Sequence, residues 1–200
     1  MLEALEKIIS NVLTALYQPF GFAVIMAVLL MFFYLFAREK GLRTILTQWW
    51  QEFKNSPKFR IMFLLTFYVV MILFRTLLNR NMWANPLSDV IGPWGFYDKN
   101  GKFTTEAIEN LMLFIPFAVL LLCTFKNKLC GLKVTFFKSV IKTTIITFAF
   151  SLVIEFLQLF FRIGTFQLSD LFYNTLGGFI GGLIYYIGYK IKEKTDSKKR

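Results

Sequence analysis

The chain has 200 residues, of which 56% are apolar and 25 are phenylalanine, and its formal net charge is +11. The apolar residues gather into blocks, as in a membrane protein, and no polar block is long enough to fold as a separate soluble domain. The basic residues flank these blocks instead of forming one soluble face, so nucleic-acid binding is not predicted. We therefore predict a single membrane domain over residues 1–200, with membrane lipids as its partners.

Several kinds of chemistry lack their usual residues. The sequence contains no His, which removes the commonest general base and the usual zinc ligand. Cys123 lies in an apolar block and Cys130 in a basic segment, which is not the spacing of a disulfide framework or a metal site. We predict no cofactor and no metal. The first residues lack the three regions of a signal peptide, so no cleaved leader is expected.

Five apolar blocks approach the roughly 20 residues that a helix needs to cross a hydrocarbon core. They cover residues 20–37, 61–78, 108–125, 139–161 and 171–189. We predict an all-α, polytopic helical bundle with about five transmembrane helices. Pro116 interrupts the third block. The helical period of residues 2–16 places a helix on the outer surface or extends the first span through Pro19, and both alternatives stay open.

The connections between these blocks alternate in charge. The connections after the first and third spans and the C-terminal tail carry 6, 4 and 6 Lys or Arg residues. The N-terminal segment and the other two connections carry 1, 3 and 1. By the positive-inside rule, the N-terminus is outside and the basic tail at 190–200 is cytoplasmic.

Two connections have patterns of their own. Residues 41–54 carry apolar side chains at helical spacing with basic residues nearby, which predicts an amphipathic helix in the cytoplasmic interface. The outer connection, 79–109, has 31 residues, and its aromatic residues favour a packed cap over disorder. Asn100 and Gly101 form a hairpin signal inside it.

Polar side chains interrupt the apolar blocks at one membrane level. They are Arg75 on the second helix, Asn110 on the third, Glu155, Gln158 and Arg162 on the fourth, and Asp170 and Asn174 on the fifth. The spacing of i, i+3 and i+7 predicts that the three on the fourth helix share one face.

Charges on spanning helices usually face the bundle interior and are paired. We expect Glu155 to pair with Arg162 or Arg75, and Asp170 with the remaining arginine, around an outward-facing pocket. The alternative is that these groups only hold the helices together.

The fifth block contains two overlapping G-x-x-x-G pairs. Their members are Gly177, Gly178, Gly181 and Gly182. Because glycine lets helix backbones approach closely, we predict packing against a neighbour, the fourth helix. This contact would bring Asn174 and Asp170 near Glu155.

Three motifs occur in order along the second half of the chain. They are Glu109-Asn110-Leu111-Met112-Leu113-Phe114-Ile115-Pro116-Phe117, Glu155-x-x-Gln158, and Asp170-x-x-x-Asn174-Thr175-Leu176-Gly177-Gly178-x-x-Gly181. Together they resemble the VanZ family of bacterial membrane proteins, over a core of about residues 79–182. Asn85-Pro86-Leu87 falls where the family often has a segment of Asn, Leu and Pro.

The chain departs from the family pattern at two places. Ala118 stands where the family commonly has Gly, which is a packing change. Gln167 and Ser169 replace a more acidic run and leave Asp170 as the only acid there, which argues against metal or two-acid chemistry.

The resemblance implies a multi-pass protein of the bacterial plasma membrane with a cell-envelope role. The family is associated with low-level resistance to teicoplanin, a lipoglycopeptide that binds cell-wall precursors outside the membrane.

Three functional hypotheses follow. In the first, the pocket binds an amphipathic lipid, a lipid-linked wall precursor or a lipoglycopeptide, and Arg75 and Arg162 pair with an anionic head group. In the second, an enzyme modifies a lipid or wall precursor, with Glu155 as general acid or base and Asp170 orienting the substrate. In the third, the chain is a membrane scaffold.

Overall fold

The computed structural model of the chain is an all-helical bundle, described over residues 2–17, 20–36, 41–78, 84–97 and 101–198. Its α-helices are α1 (Leu2–Tyr17), α2 (Phe20–Phe36), α3 (Leu42–Asn55), α4 (Pro57–Leu73), α5 (Glu106–Leu129), α6 (Lys142–Phe161) and α7 (Leu168–Lys198). Two π-helical turns, Phe74–Leu78 and Phe137–Ile141, continue α4 and lead into α6. The described ranges contain no strand, in agreement with the all-α prediction.

Three stretches of the described chain are long and apolar enough to cross a membrane. They are Pro57–Leu77, Glu106–Leu129 and Phe137–Phe161, which correspond to the second, third and fourth predicted spans. A shorter apolar helix, Ala23–Phe36, lies within the first predicted span, whose last residue, Ala37, is outside the described ranges. The fifth predicted span is part of α7, which contains several glycines and tyrosines. The chain is therefore a helical membrane protein, and five spans with a fixed orientation remain predictions.

Helix α3 packs across α2 and α4 through one aromatic side chain. Trp49 stacks on Phe53 and Phe32, with ring centroids 5.2 and 6.0 Å apart, and meets Phe59 and Phe63 edge-on. Leu46 and Trp50, each about 100° around the helix from the packed Ile45 and Trp49, are exposed, so the apolar surface of α3 extends beyond its packed face. A helix at 41–54 is thus confirmed, while its location in the membrane interface remains a prediction.

A single residue, Ser56, joins α3 to α4. Its hydroxyl oxygen accepts a hydrogen bond from the Phe59 backbone N–H at 3.3 Å, which satisfies one of the donors at the start of α4. Arg60 donates to the carbonyl oxygens of Phe53 and Lys54 at 3.1 and 2.8 Å, which are acceptors left over at the end of α3. These bonds fix the angle between the two helices.

Helices α5 and α7 run parallel with their backbones in contact. A Cβ atom placed at Gly177 would clash with the carbonyl oxygen of Leu111, and one at Gly181 would clash with that of Ile115 and lie 2.7 Å from the Ala118 Cβ. The hydrogens that occupy these Cβ positions therefore point at carbonyl oxygens, the geometry of a weak Cα–H···O contact. One G-x-x-x-G pair thus serves the contact between α5 and α7.

The other G-x-x-x-G pair faces α6. A Cβ atom at Gly178 would clash with the side chain of Thr147, and one at Gly182 would lie 3.1 Å from the Cα of Val140. The predicted packing against the fourth helix is therefore confirmed for Gly178 and Gly182 and wrong for Gly177 and Gly181. Neighbouring residues of a helix point about 100° apart, so two adjacent glycine pairs meet two different helices.

We predict that Gly181→Ala destabilises the protein by about 1–3 kcal/mol, because the added methyl group must displace the α5 backbone. The measurement is the thermal unfolding midpoint of the detergent-purified protein. Gly188→Ala is the matched control in the same helix, since a Cβ there meets nothing within 4 Å. Equal midpoints for the two variants would contradict the prediction.

Candidate functional site

A buried polar cluster lies at the end of the bundle where α5 and α7 begin and α6 ends, here called the site end. Its members are Asn110, Ser151, Glu155, Gln158, Ser169, Asp170 and Asn174. The side chains are 0–8% exposed, so they are nearly removed from solvent and lipid. Buried polar groups in a membrane protein need partners, and the hydrogen bonds of this cluster define its geometry.

Two amide side chains connect α7 to its neighbours. Asn110 of α5 donates a hydrogen bond to Asp170 Oδ1 at 2.7 Å. Asn174 of α7 donates to the Ser151 hydroxyl of α6 at 2.9 Å. The three helices that meet at the glycines are thus also joined by hydrogen bonds one to two turns away. The structure brings Asn110, Asp170 and Asn174 together, as the spacing predicts.

Glu155 and Gln158 bind backbone groups outside their own helix. The Gln167 backbone N–H donates to Glu155 Oε2 at 2.9 Å, which ties the connection between α6 and α7 to the carboxylate. The Gln158 amide donates to the carbonyl oxygen of Thr76 at 2.9 Å. Thr76 belongs to the π-helical turn after α4, where carbonyl groups near a helix end lack intrahelical donors.

Residues 84–97, here called the cap segment, cover the cluster. Backbone N–H groups of Phe166, Leu168 and Ser169 donate to carbonyl oxygens of the cap segment at 3.0, 2.8 and 3.3 Å. Gly92, at φ 70°, approaches Ser169 so closely that a Cβ would clash with its hydroxyl. Trp94 packs on Phe172 with ring centroids 5.2 Å apart.

A packed cap in the connection between the second and third predicted spans is therefore confirmed for these residues, while its location outside the membrane remains a prediction. The predicted hairpin turn includes Asn100, which lies outside the described ranges. The residues on either side of this turn do pair with each other. Tyr97 and Phe103 form an antiparallel bridge, and the Thr104 backbone N–H donates to the Phe96 carbonyl oxygen at 2.9 Å.

Arg75 pairs with Glu109, not with Glu155, so that predicted pair is wrong. The ion pair joins the π-helical turn to α5, and its side chains are 21% and 12% exposed. Glu109 also accepts a hydrogen bond from the Thr105 hydroxyl, which in turn accepts one from Asn11 of α1 at 2.8 Å. Arg75 therefore belongs to a second polar chain that holds α1 at the site end.

Arg162 does not share the helix face of Glu155 and Gln158. Helix α6 ends at Phe161, and Arg162 follows in the left-handed conformation at φ 54°, which is uncommon for a residue with a Cβ. The Ile163 N–H donates back to the Gln158 carbonyl oxygen at 3.0 Å and closes the helix. The side chain of Arg162 is exposed, and Glu155 is not its partner, so this part of the prediction is also wrong.

Several buried oxygen atoms of the cluster have no hydrogen-bond partner among the residues that the structure describes. They are Gln158 Oε1, Ser169 Oγ and Asn174 Oδ1. Closer to the start of α6, the buried hydroxyl oxygens of Thr143 and Thr147 also lack a hydrogen-bond partner among the described residues. A buried polar atom without a partner costs about 1–3 kcal/mol. The site therefore holds a capacity to accept hydrogen bonds that its own side chains leave unused.

Sequence reasoning missed the hydroxyl groups of this site. Ser139, Thr143, Thr147 and Ser151 precede Glu155 at intervals of four residues, and all are buried. This period would have identified the polar face of α6. Among the described residues, no group of three or more His, Cys, Asp or Glu could hold a metal ion.

The fold and the site define a class of protein, a helical membrane protein with a capped polar cluster between its last three helices. The family model of VanZ/LLP1 proteins matches residues 15–189. The chain therefore belongs to the VanZ/LLP1 family.

A curated relative supports this assignment. The chain is similar to "Protein VanZ" of Enterococcus faecium, with 33% identity over 94 residues, which cover 47% of this chain and 52% of the relative. The chain thus matches about half the length of that protein. No solved structure matches it.

We predict that Asn110→Ala destabilises the protein by about 1–3 kcal/mol, because Asp170 Oδ1 loses a buried donor. A double-mutant cycle with Asp170→Ala should give a coupling energy of about 0.6–1.7 kcal/mol, the range for hydrogen bonds between membrane helices. Asn127→Ala on the exposed face of the same helix is the control. A coupling energy of zero would show that the bond does not contribute to stability.

Proposed function

We propose that this protein binds the polar part of an amphipathic cell-envelope molecule in the cluster around Glu155 and Asp170. The ligand class is a lipid-linked wall precursor or a lipoglycopeptide such as teicoplanin, with which the VanZ family is associated. The site would lie on the outer side of the bacterial plasma membrane, where these molecules are found.

The observation that carries this proposal is the set of buried acceptor oxygens without donors. Gln158, Ser169 and Asn174 each contribute one such atom. A site whose own residues need only to hold helices together would pair these oxygen atoms with donors of the protein or replace them by apolar groups. Hydroxyl and ammonium groups of a sugar or amino-sugar head group would supply the missing donors.

Arg75 and Arg162 contribute less to the recognition proposed here than to the hypothesis in which both arginines pair with an anionic head group. Arg75 is already engaged by Glu109, so it has no unpaired charge to offer. Arg162 is exposed at the site end, where its guanidinium could meet a phosphate approaching from the membrane surface. The proposed recognition therefore rests on hydrogen-bond acceptors, with Arg162 as the one candidate anion contact among the arginines predicted for the site.

Access to the cluster requires movement of the cap segment. Its three backbone hydrogen bonds to residues 166–169 and the Trp94 contact are individually weak. Helices α5, α6 and α7 are locked by the glycine contacts, so the cap segment is the part that opens. An apolar ligand tail would then replace the contact of Trp94 with Phe172.

We infer a topology of five spans with the site end outside. It predicts that Ala84→Cys reacts with a membrane-impermeant maleimide in intact cells, because Ala84 is exposed in the cap segment. Lys133→Cys, exposed in the connection between α5 and α6, should react only after the membrane is permeabilised. Both variants are made without the native cysteines. The opposite labelling pattern would reverse the orientation.

The binding proposal predicts that Ser169→Ala weakens binding of teicoplanin or of an undecaprenyl-linked precursor about fivefold. One neutral hydrogen bond contributes about 1 kcal/mol. The Ser169 hydroxyl has no hydrogen-bond partner among the described residues, so its removal should not lower the stability of the protein. The measurement is binding to the purified protein in lipid nanodiscs, together with the teicoplanin susceptibility of an expressing host.

Thr143→Val is the matched control for this experiment. It also removes a buried hydroxyl without a partner, but one three helical turns from Glu155. Equal effects of the two variants, or no binding of either ligand by the parent protein, would contradict the proposal. Glu155→Gln and Asp170→Asn at matched abundance should reduce binding more strongly. Precursor turnover that disappears in Glu155→Gln would favour the enzyme hypothesis.

A further inference from the structure

A cleft of about 1190 Å³ opens at the opposite end of the bundle from the polar cluster. It lies between the end of α5 and the second half of α7, with Ile61 of α4 at its side. Lys126 in its wall is 16 residues along α5 from Asn110, roughly 24 Å in a helix. The cleft is therefore separate from the site described above and independent of its proposed function.

The lining of this cleft changes from apolar to charged along its length. Its inner wall includes Val119, Cys123 and the half-exposed Ile184. Its mouth carries Lys126 and Lys192. Lys126 is in the last turn of a helix that is apolar enough to span a membrane, so the change occurs where the hydrocarbon core ends.

Aromatic side chains mark the same level. Tyr185 and Tyr189 line the cleft with stacked rings, and the Lys126 ammonium lies 4.5 Å from the centre of the Tyr189 ring. Tyrosine is enriched at membrane interfaces because its ring is apolar and its hydroxyl polar. Along the cleft, the apolar wall is followed by the tyrosines and then by the two ammonium groups. This order matches a phospholipid, whose acyl chain would lie on the apolar wall and whose phosphate would lie at the ammonium groups.

The charge at the mouth favours an anion. The carboxylate of Glu193 is engaged by Lys190 at 2.6 Å, and this hydrogen bond raises the pKa of Lys190. Asp196 also lines the cleft, one helical turn further along α7 than Lys192 and therefore further from the apolar residues Val119 and Ile184. The two ammonium groups closest to the apolar wall are therefore opposed by one more distant carboxylate.

The backbone of α7 leaves room for a chain in this cleft. Gly188 lies on its wall, and a Cβ atom there would meet nothing within 4 Å. At the other helical glycines of α7, atoms of neighbouring helices occupy the space that a side chain would take. At Gly188 this space is open, so Gly188 is not a packing contact. We propose that the cleft binds one anionic phospholipid, with its phosphate between Lys126 and Lys192 and an acyl chain along Val119 and Ile184.

The test is competition between phosphatidylglycerol and phosphatidylcholine of identical acyl chains for the full-length protein in detergent, with bound lipid counted by native mass spectrometry. The parent should retain phosphatidylglycerol preferentially. Lys126→Gln and Lys192→Gln should each reduce this preference about fivefold, as expected for one basic residue at an anionic lipid surface. Lys128→Gln, two residues away and outside the cleft, should leave it unchanged.

Two further variants separate the head group from the tail. Gly188→Phe fills the gap and should lower retention of both lipids, whereas Asp196→Asn removes the opposing charge and should increase retention of phosphatidylglycerol alone. Thermal unfolding without added lipid shows that each variant is folded. Equal retention of the two lipids by the parent, or an equal loss in Lys126→Gln and Lys128→Gln, would overturn the proposal.

Discussion

The close approach of α7 to both α5 and α6 is the constraint on which the site depends. Its four small residues allow no side chain between the backbones, so the helices cannot slide or rotate without a clash. Helices α6 and α7 are antiparallel, and their facing pairs are Thr147 with Gly178 and Ser151 with Asn174. One further step of four residues along each helix sets Glu155 level with Asp170. The position of the carboxylates is therefore a consequence of the glycine contact.

A polar cluster held in this way stabilises the bundle only modestly. Hydrogen bonds between membrane helices contribute about 0.6 kcal/mol on average, because the unfolded chain in a membrane also finds partners. Packing at the glycines thus positions the helices, and the hydrogen bonds of Asn110 and Asn174 fix the side chains within that frame. The buried acceptor atoms without a hydrogen-bond partner are separate from these bonds, so a ligand of the kind we propose would not have to break them.

The sequence predicted the helices and much of the cluster, but not the pairing of its charges. Apolar blocks and i, i+4 spacings report which residues share a helix face, which is why Asn110, Asp170 and Asn174 meet as expected. They do not report where a helix ends. Arg162 leaves the predicted face because the backbone turns left-handed one residue after α6, and no side-chain pattern encodes that turn.

The choice of partner for Arg75 was similarly beyond local patterns. Glu109 is on α5, which packs against α4, and Glu155 is on α6, which packs against the π-helical turn that contains Arg75. The spacing along the chain does not determine which of the two acids is in reach, and the structure pairs Arg75 with Glu109. The glycine pairs were recognised as packing motifs, yet their division between two helices follows from the arrangement of three helices in space. Pairwise motifs in one chain carry no information on that arrangement.

Helix α7 continues without interruption for 31 residues, which corresponds to roughly 46 Å and exceeds the thickness of a hydrocarbon core by about half. Its last turns are exposed on all sides and still helical. A soluble domain that begins with a helix, fused in phase after Lys198, would therefore inherit a fixed orientation relative to the bundle. The fused domain would serve as a rigid marker and would make this small membrane protein large enough for particle alignment in electron cryomicroscopy.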